Sequence, residues 1–267
     1  MRSLRLGLVS DIHGNVTALE AVLADGAAAG VTRWWVLGDL AAVGPEPAPT
    51  LERLVNLPNV RFVRGNTDRY VVTGARPWPH AADVEIDESL RQLFDAVESS
   101  FSWTRDMLGA EWLAFLAALP TTQRLRLADG ANLLGVHASP MSDDGPGITP
   151  EINDDELGAL LAGSDADVTC GGHTHQPTDR RLNRQRVVNL GSVSNPITSD
   201  LRATYVVIDD DPQGHALVHR RVPYDHDRVL RRLRQSSHPQ AGYLASFQLG
   251  QQVRHAADRP GAPTFAN

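Results

Sequence analysis

The chain has no lysine, a single cysteine and no apolar run of membrane-spanning length. With Cys170 alone, no intramolecular disulfide can form, which fits a reducing compartment. Cys170 stands in an apolar stretch before Gly171 and reads as a small buried hydrophobe, not a nucleophile. The longest apolar stretch, residues 112–119, is far too short for a span. The apolar stretch between Arg5 and Asp11 is too short for a secretory signal, so a cytoplasmic protein is expected. The 25 basic residues are all arginine, and against 32 acidic ones they leave a formal net charge of −7. The lack of Lys beside abundant Ala reads as coding bias. A negative chain lacks the basic surface that general nucleic-acid or membrane binding needs, so neither partner is expected. The Arg-rich stretch 180–186 could favour a phosphate-bearing ligand, but a solvated hairpin face is the simpler reading.

What is present is ordinary in bulk and specific in pattern. The 267 residues, 42% hydrophobic, fit one large domain or two small ones and suffice for a real core. Residues 4–10, 34–37 and 60–63 read as buried strands. Between them, residues 16–29 carry Leu19, Val22 and Leu23 at helical spacing and stop at Gly30. Pro45, Pro47 and Pro49 mark a loop, and residues 50–57 a short helix. Strands alternating with helices argue for a layered α/β domain. The rhythm then changes. Residues 70–82 are loop-like, and residues 87–119 are helical, broken near Gly109 and closed by Pro120. Their apolar face runs through Leu90, Leu93, Phe94, Val97 and Phe101, so residues 70–120 read as a helical insertion. Strands return at 124–128 and 133–137, joined by a turn at Asp129-Gly130. A polar loop over 141–149, a helix over 154–161 and a strand over 167–170 follow. Residues 186–190, 204–209 and 216–222 alternate like antiparallel strands, and 227–234 form a basic helix. One domain over 1–257 is expected, with 258–267 a flexible tail.

Five of the apolar runs end in Asp, His or Asn. They lead into Asp11-Ile12-His13-Gly14-Asn15, Gly38-Asp39, Gly65-Asn66, His137 and Gly172-His173-Thr174-His175. These side chains bind a borderline divalent cation through oxygen and nitrogen. Residues two apart on extended backbone point the same way, so Asp11 with His13, and His173 with His175, can converge on one ion. Each pair alone also reads as a turn residue beside a surface histidine. Their joint placement at strand ends suggests one site assembled by a sheet.

In that order, and with Gly65-Asn66-Thr67-Asp68 and Gly135-Val136-His137 included, the motifs resemble those of the calcineurin-like metallophosphoesterases. The resemblance runs from about residue 4 to about residue 209. The opening motif, followed by Ala18-Leu19-Glu20-Ala21-Val22, looks like the compact bacterial and archaeal phosphodiesterase (YfcE-like) branch. The resemblance implies a four-layer α-β-β-α sandwich of two mixed β-sheets flanked by helices. It also implies two divalent transition-metal ions, Mn foremost and Fe, Zn, Ni or Co as alternatives. Asp11, His13 and His175 would hold one ion, and Asn66, His137 and His173 the other, with Asp39 bridging. Asp39, Asn66 and His137 would then be catalytic. The implied reaction is hydrolysis of a small phosphate ester, a diester first, by a metal-bridging hydroxide.

One position departs from the pattern. Many superfamily members carry His after Gly-Asn, to protonate the leaving alkoxide or bind phosphate. Here it is Thr67, which is no acid near neutral pH. That speaks against a phosphoprotein phosphatase or a dinucleoside tetraphosphate hydrolase. It keeps open a phosphomonoesterase acting on nucleotides or other small phosphates, and a non-catalytic protein-binding scaffold of the same fold. Asn15, Thr67, Arg69 and Asn195 are the candidate substrate contacts, and Asp68 a candidate support for a ligand. The apolar face of the insertion leaves a second copy of the chain as a candidate partner.

Overall fold

The structure is a computed structural model and describes residues 4–252. Two mixed five-stranded sheets stack face to face. The first is built from β1 (Leu4–Val9), β2 (Arg33–Leu37), β3 (Val60–Val63), β9 (Ala203–Asp211) and β10 (Gly214–Val222), in the order β10-β9-β1-β2-β3. The second uses β4 (Gln123–Arg126), β5 (Asn132–Gly135), β6 (Val168–Gly171), β7 (Thr178–Leu182) and β8 (Gln185–Asn189), in the order β4-β5-β6-β8-β7. In the first sheet β1, β2 and β3 run parallel. In the second, β5, β6 and β8 do. The two-sheet α/β sandwich expected from the resemblance is therefore the observed fold.

The period of two along each strand divides the core. Leu6, Leu8, Trp35 and Leu37 face the second sheet and meet Leu133, Val168, Cys170 and Val188. Val9, Trp34 and Val36 face outward and are covered by Leu19 and Val22 of α1 (Val16–Ala28). Adjacent Trp34 and Trp35 thus serve two different cores. Gly7 makes room for the first of them, since a Cβ there would lie 2.5 Å from the Trp34 ring.

Several elements differ from the sequence reading, each for a local reason. The proline loop is in part a helix start: α2 (Pro47–Val55) has Pro at its first position, where no N–H is needed. Residues 70–82 are not all loop. Helix α3 (Asn66–Thr73) opens at Gly65 and closes at Gly74, whose φ of +80° ends it in the left-handed conformation. Asp68, at its third position, accepts the Gly65 N–H at 2.9 Å, a start signal hidden inside a motif that reads as metal chemistry. A further short helix, α4 (Ala81–Ile86), begins after Pro79. Helix α5 (Arg91–Ala117) is interrupted at Gly109, as the sequence suggests. It packs on α3 through an edge-to-face contact of Phe101 with Tyr70 and on β3 through Phe115 with Phe62. Residues 186–190 pair parallel with β6 and antiparallel only with β7, so their alternation misreads the pairing. The β7–β8 hairpin carries the Arg-rich stretch, with Arg180 paired to Asp154 and Arg186 to Asp179. Helix α6 (Asp154–Leu160) covers the second sheet, while α7 (His226–Gln235) and α8 (Ala241–Gln248) pack together at the C-terminal end. The expected tail at 258–267 lies outside the described residues. No helix among the described residues is long and apolar enough to cross a membrane.

Candidate metal centre

Parallel strands deliver their C-terminal ends to one edge of a sheet, and here two such sets meet. The loop after β1 carries Asp11 and His13, that after β2 carries Asp39, and β3 leads to Asn66. From the second sheet, β5 leads to His137 and β6 to His173 and His175. Crowding these side chains together bends the backbone. Asp11, His13, Asp39, His173 and His175 all have positive φ, between +47° and +72°. Non-glycine residues avoid that region, and such outliers concentrate at functional sites where the surrounding fold holds them.

The donors fall into two sets. In the first, donor atoms of Asp11, His13 and His175 lie within 4.8 Å of one another. His175 Nε2 is 3.2 Å from Asp11 Oδ1 and 3.2 Å from His13 Nε2. In the second, His137 Nε2 is 3.0 Å from Asn66 Oδ1 and 3.4 Å from Asp39 Oδ1. His173 Nδ1 is 3.3 Å from the same Asn66 oxygen. Asp39 lies between the sets, its Oδ2 3.7 Å from His13 Nε2 and its Oδ1 turned to His137.

Backbone carbonyls orient every imidazole. His13 Nδ1 meets Ala42 O, His137 Nδ1 meets Leu37 O at 2.7 Å, and His175 Nδ1 meets Asn195 O at 2.7 Å. Each ring then donates from Nδ1 and turns Nε2 inward, the nitrogen that binds a metal once its proton is displaced. His173 is reversed: Nε2 donates to Gly145 O at 2.8 Å and Nδ1 faces Asn66. His13 and His175 meet Nε2 to Nε2 at a distance that either a shared proton or a shared cation bridges. Burial opposes ionisation of Asp11 and Asp39, yet the histidines beside each hold both carboxyls below the usual range. Burial likewise acts to lower His137, but Asp39 and Asp11 raise it to about 10. The site is a buried pair of carboxylates ringed by imidazoles, and it fits divalent cations with mixed nitrogen and oxygen donors.

A family model, the calcineurin-like phosphoesterase superfamily domain, matches residues 4–212. The chain belongs to this superfamily. An uncharacterized protein of Methanocaldococcus jannaschii is 27% identical over 236 residues, covering 82% of this chain and 88% of that one. A metallophosphoesterase from Sphaerobacter thermophilus matches at 26% identity with a TM-score of 0.70, covering 93% of this chain and 99% of the other. A hypothetical protein from Pyrococcus horikoshii OT3 shares the fold at a TM-score of 0.75 and 23% identity, covering 92% and 97%.

Within this calcineurin-like centre, the remaining candidates take the following places. Thr67 donates its backbone N–H to Asp39 Oδ1 at 3.0 Å, while its hydroxyl is buried and without a partner. Asp68 accepts the N–H groups of Asp39 and Leu40, both at 3.0 Å, and so clamps the loop that carries Asp39. Burial and the nearby Asp39 push its carboxyl up to about 7. Asn15 caps α1 by accepting from Ala18 N at 3.0 Å and donates to Ser194 Oγ at 3.1 Å. Asn195 offers its carbonyl to His175, and its side chain accepts from Ser194 Oγ. Arg69 spans Asp143 and Asp144.

Sequence reasoning passed over the supports around these residues. Asp143 also binds Arg64, and Asp144 binds Tyr70, so the polar loop is fastened to α3 and sets the Gly145 carbonyl that holds His173. Buried Asn189 donates to Gly172 O and to Thr174 Oγ1, tying down the paired-histidine loop. Ser192 Oγ donates to Asp11 O at 3.0 Å. Asn189 was findable, being one more polar residue closing an apolar strand; the Asp143-Asp144 pair carried no signal beyond its charge.

Proposed function

We propose that the chain is a metal-dependent phosphodiesterase with a dinuclear centre. Asp11, His13 and His175 would hold one divalent cation and Asn66, His137 and His173 the other, with Asp39 between. The supporting observation is the facing of His13 and His175, Nε2 to Nε2 at 3.2 Å, with each Nδ1 already hydrogen-bonded to a carbonyl. Three oxygen donors and four imidazoles suit a transition metal such as Mn, Fe, Zn, Ni or Co over Ca, which prefers all oxygen; Mn stands first on the family resemblance. When bound, such a pair supplies an acidified water and positive charge for the phosphoryl oxygens.

The chain's own residues do the rest. Asp39 turns one oxygen toward each donor set, and the N–H of Thr67 fixes the oxygen on the His137 side. Asp68 holds the Asp39 loop, and the carbonyls of Ala42, Leu37 and Asn195 hold three rings with Nε2 turned inward. At position 67 there is no titratable acid for a leaving alkoxide. That favours diesters with leaving groups that need little protonation.

The test is turnover of bis-p-nitrophenyl phosphate with added Mn, alongside metal analysis of the purified chain. Hydrolysis with about two ions per chain supports the reading. No hydrolysis with any divalent metal from about pH 6 to about pH 9 removes it and leaves the protein-binding scaffold. Preference for p-nitrophenyl phosphate would shift it to a monoesterase.

A further inference from the structure

A cavity of about 280 Å³ opens beside the centre, and His175 belongs to both. Its other walls come from the β6–β7 loop, the loop after β8, the start of β9 and the end of β10. Pro177 and Pro196 line it with ring C–H surface. Thr198 and Thr204 line it with hydroxyls whose hydrogens are already in use: Thr198 donates to Asp200 O at 3.2 Å and Thr204 to Ser192 O at 3.1 Å. Both oxygens therefore keep lone pairs for an incoming donor. Asp200 is a fixed acceptor. The Arg202 fork holds its carboxylate at 2.8 and 2.6 Å, and that contact brings its pKa down to about 2. Arg221 also lines the cavity, with Nε 3.5 Å from Asp200 and half of its side chain exposed.

We propose that this cavity receives the ester alcohol that stays on the phosphorus, not the one that leaves, and that this alcohol is a polyol such as glycerol or a sugar; the proposal rests on the phosphodiesterase reading above. The chemistry of the walls selects the class. A polyol alternates C–H patches with hydroxyls that both donate and accept. The proline rings meet the former, and the threonine oxygens, Asp200 and the Arg221 guanidinium meet the latter. A nucleoside would want a flat aromatic platform on which its base could stack. Among the described residues of the lining, His175 supplies the only ring besides the prolines, and both of its nitrogens are engaged at the centre. A lipid tail would want a wall without the carboxylate and guanidinium.

The experiment compares glycerophosphoglycerol, thymidylyl-thymidine and bis-p-nitrophenyl phosphate on the full chain with added Mn. The expected order puts the glycerol diester above the dinucleotide by at least about tenfold in kcat/KM, a discrimination that a few polar contacts supply. Arg221→Gln and Thr198→Val should each lower kcat/KM for the glycerol diester about tenfold more than for bis-p-nitrophenyl phosphate, chiefly through KM. Partial misfolding would lower all substrates together and leave that ratio unmoved. Preference for the dinucleotide, or equal losses on all substrates, overturns the subsite. If the wild-type chain hydrolyses none of the three, the phosphodiesterase reading is what fails. Calorimetric titration of glycerophosphoglycerol into wild type and Arg221→Gln then decides the subsite alone. Heat confined to wild type supports it, and equal heat or none overturns it.

Discussion

His13 and His175 meet Nε2 to Nε2 at 3.2 Å across 162 residues of sequence, each ring held from behind by a carbonyl. A divalent cation bound between them would replace any shared proton and stabilise the centre. His13→Ala should therefore reduce the metal content of the purified chain and lower bis-p-nitrophenyl phosphate turnover by at least about a hundredfold. Elemental analysis and initial rates check both halves. A chelator should lower the melting temperature of the wild type, because a ligand that binds only the folded state stabilises it. The variant should respond far less.

Asp68 accepts three backbone N–H groups, from Gly65, Asp39 and Leu40. Asp68→Ala leaves all three buried donors without an acceptor. The expected cost is about 3 kcal/mol or more, read as a fall in the thermal midpoint. Asp68→Asn keeps one acceptor oxygen and should recover part of the loss.

Space at the paired-histidine loop is set by Gly172, where a Cβ would lie 2.0 Å from Ser10 Oγ and 2.3 Å from Asp11 Oδ2. Gly172→Ala must displace Asp11, so metal content should fall along with activity. Gly242 in α8 is the contrast. Nothing lies within 4 Å of a Cβ there, so Gly242→Ala should leave metal content alone and stabilise the helix by about 0.5–1 kcal/mol.

His238 packs edge-on against Trp103, accepts the Gln240 N–H at 3.0 Å and leaves Nε2 buried without a partner. Burial pushes its pKa down to about 4. The unfolded chain therefore takes up a proton near pH 6.5 that the folded chain refuses until about pH 4. Stability should fall as pH drops through that window and be insensitive to this group above it. His238→Gln, neutral throughout, should flatten the dependence in melts from about pH 8 to about pH 4. A variant that tracks wild type across the whole range would assign the acid sensitivity elsewhere.

Thr67→His restores an acid where the site has none. It should raise turnover of alkyl diesters relative to p-nitrophenyl ones, by about 10²-fold at most. Equal effects on both leaving groups would show that protonation does not limit the reaction.

The strands and the donors they deliver were legible because both signals are local. Apolar runs bounded by turns mark β1, β2, β3, β5 and β6, and Asp, His or Asn at their ends needs no knowledge of the rest of the chain. Helix α3 was only half legible, since Asp68 serves a helix start and a metal loop at once. The parallel pairing of β8 was hidden for a different reason: alternation reports which face is buried, not which neighbour runs alongside.

The sequence alone determined the strands and the candidate donors at their ends, because residue chemistry and strand period act over a few positions; the two-sheet architecture came only with the family resemblance. Only the tertiary structure decided which donors meet, which nitrogen each ring presents and what holds them. Those outcomes depend on contacts such as Asp68 with the Asp39 loop, 29 residues apart, and His13 with His175, 162 apart. It also showed Asn15, Arg69 and Asn195 engaged in supporting the fold around the centre, and a cavity beside His175 that no run of residues could announce.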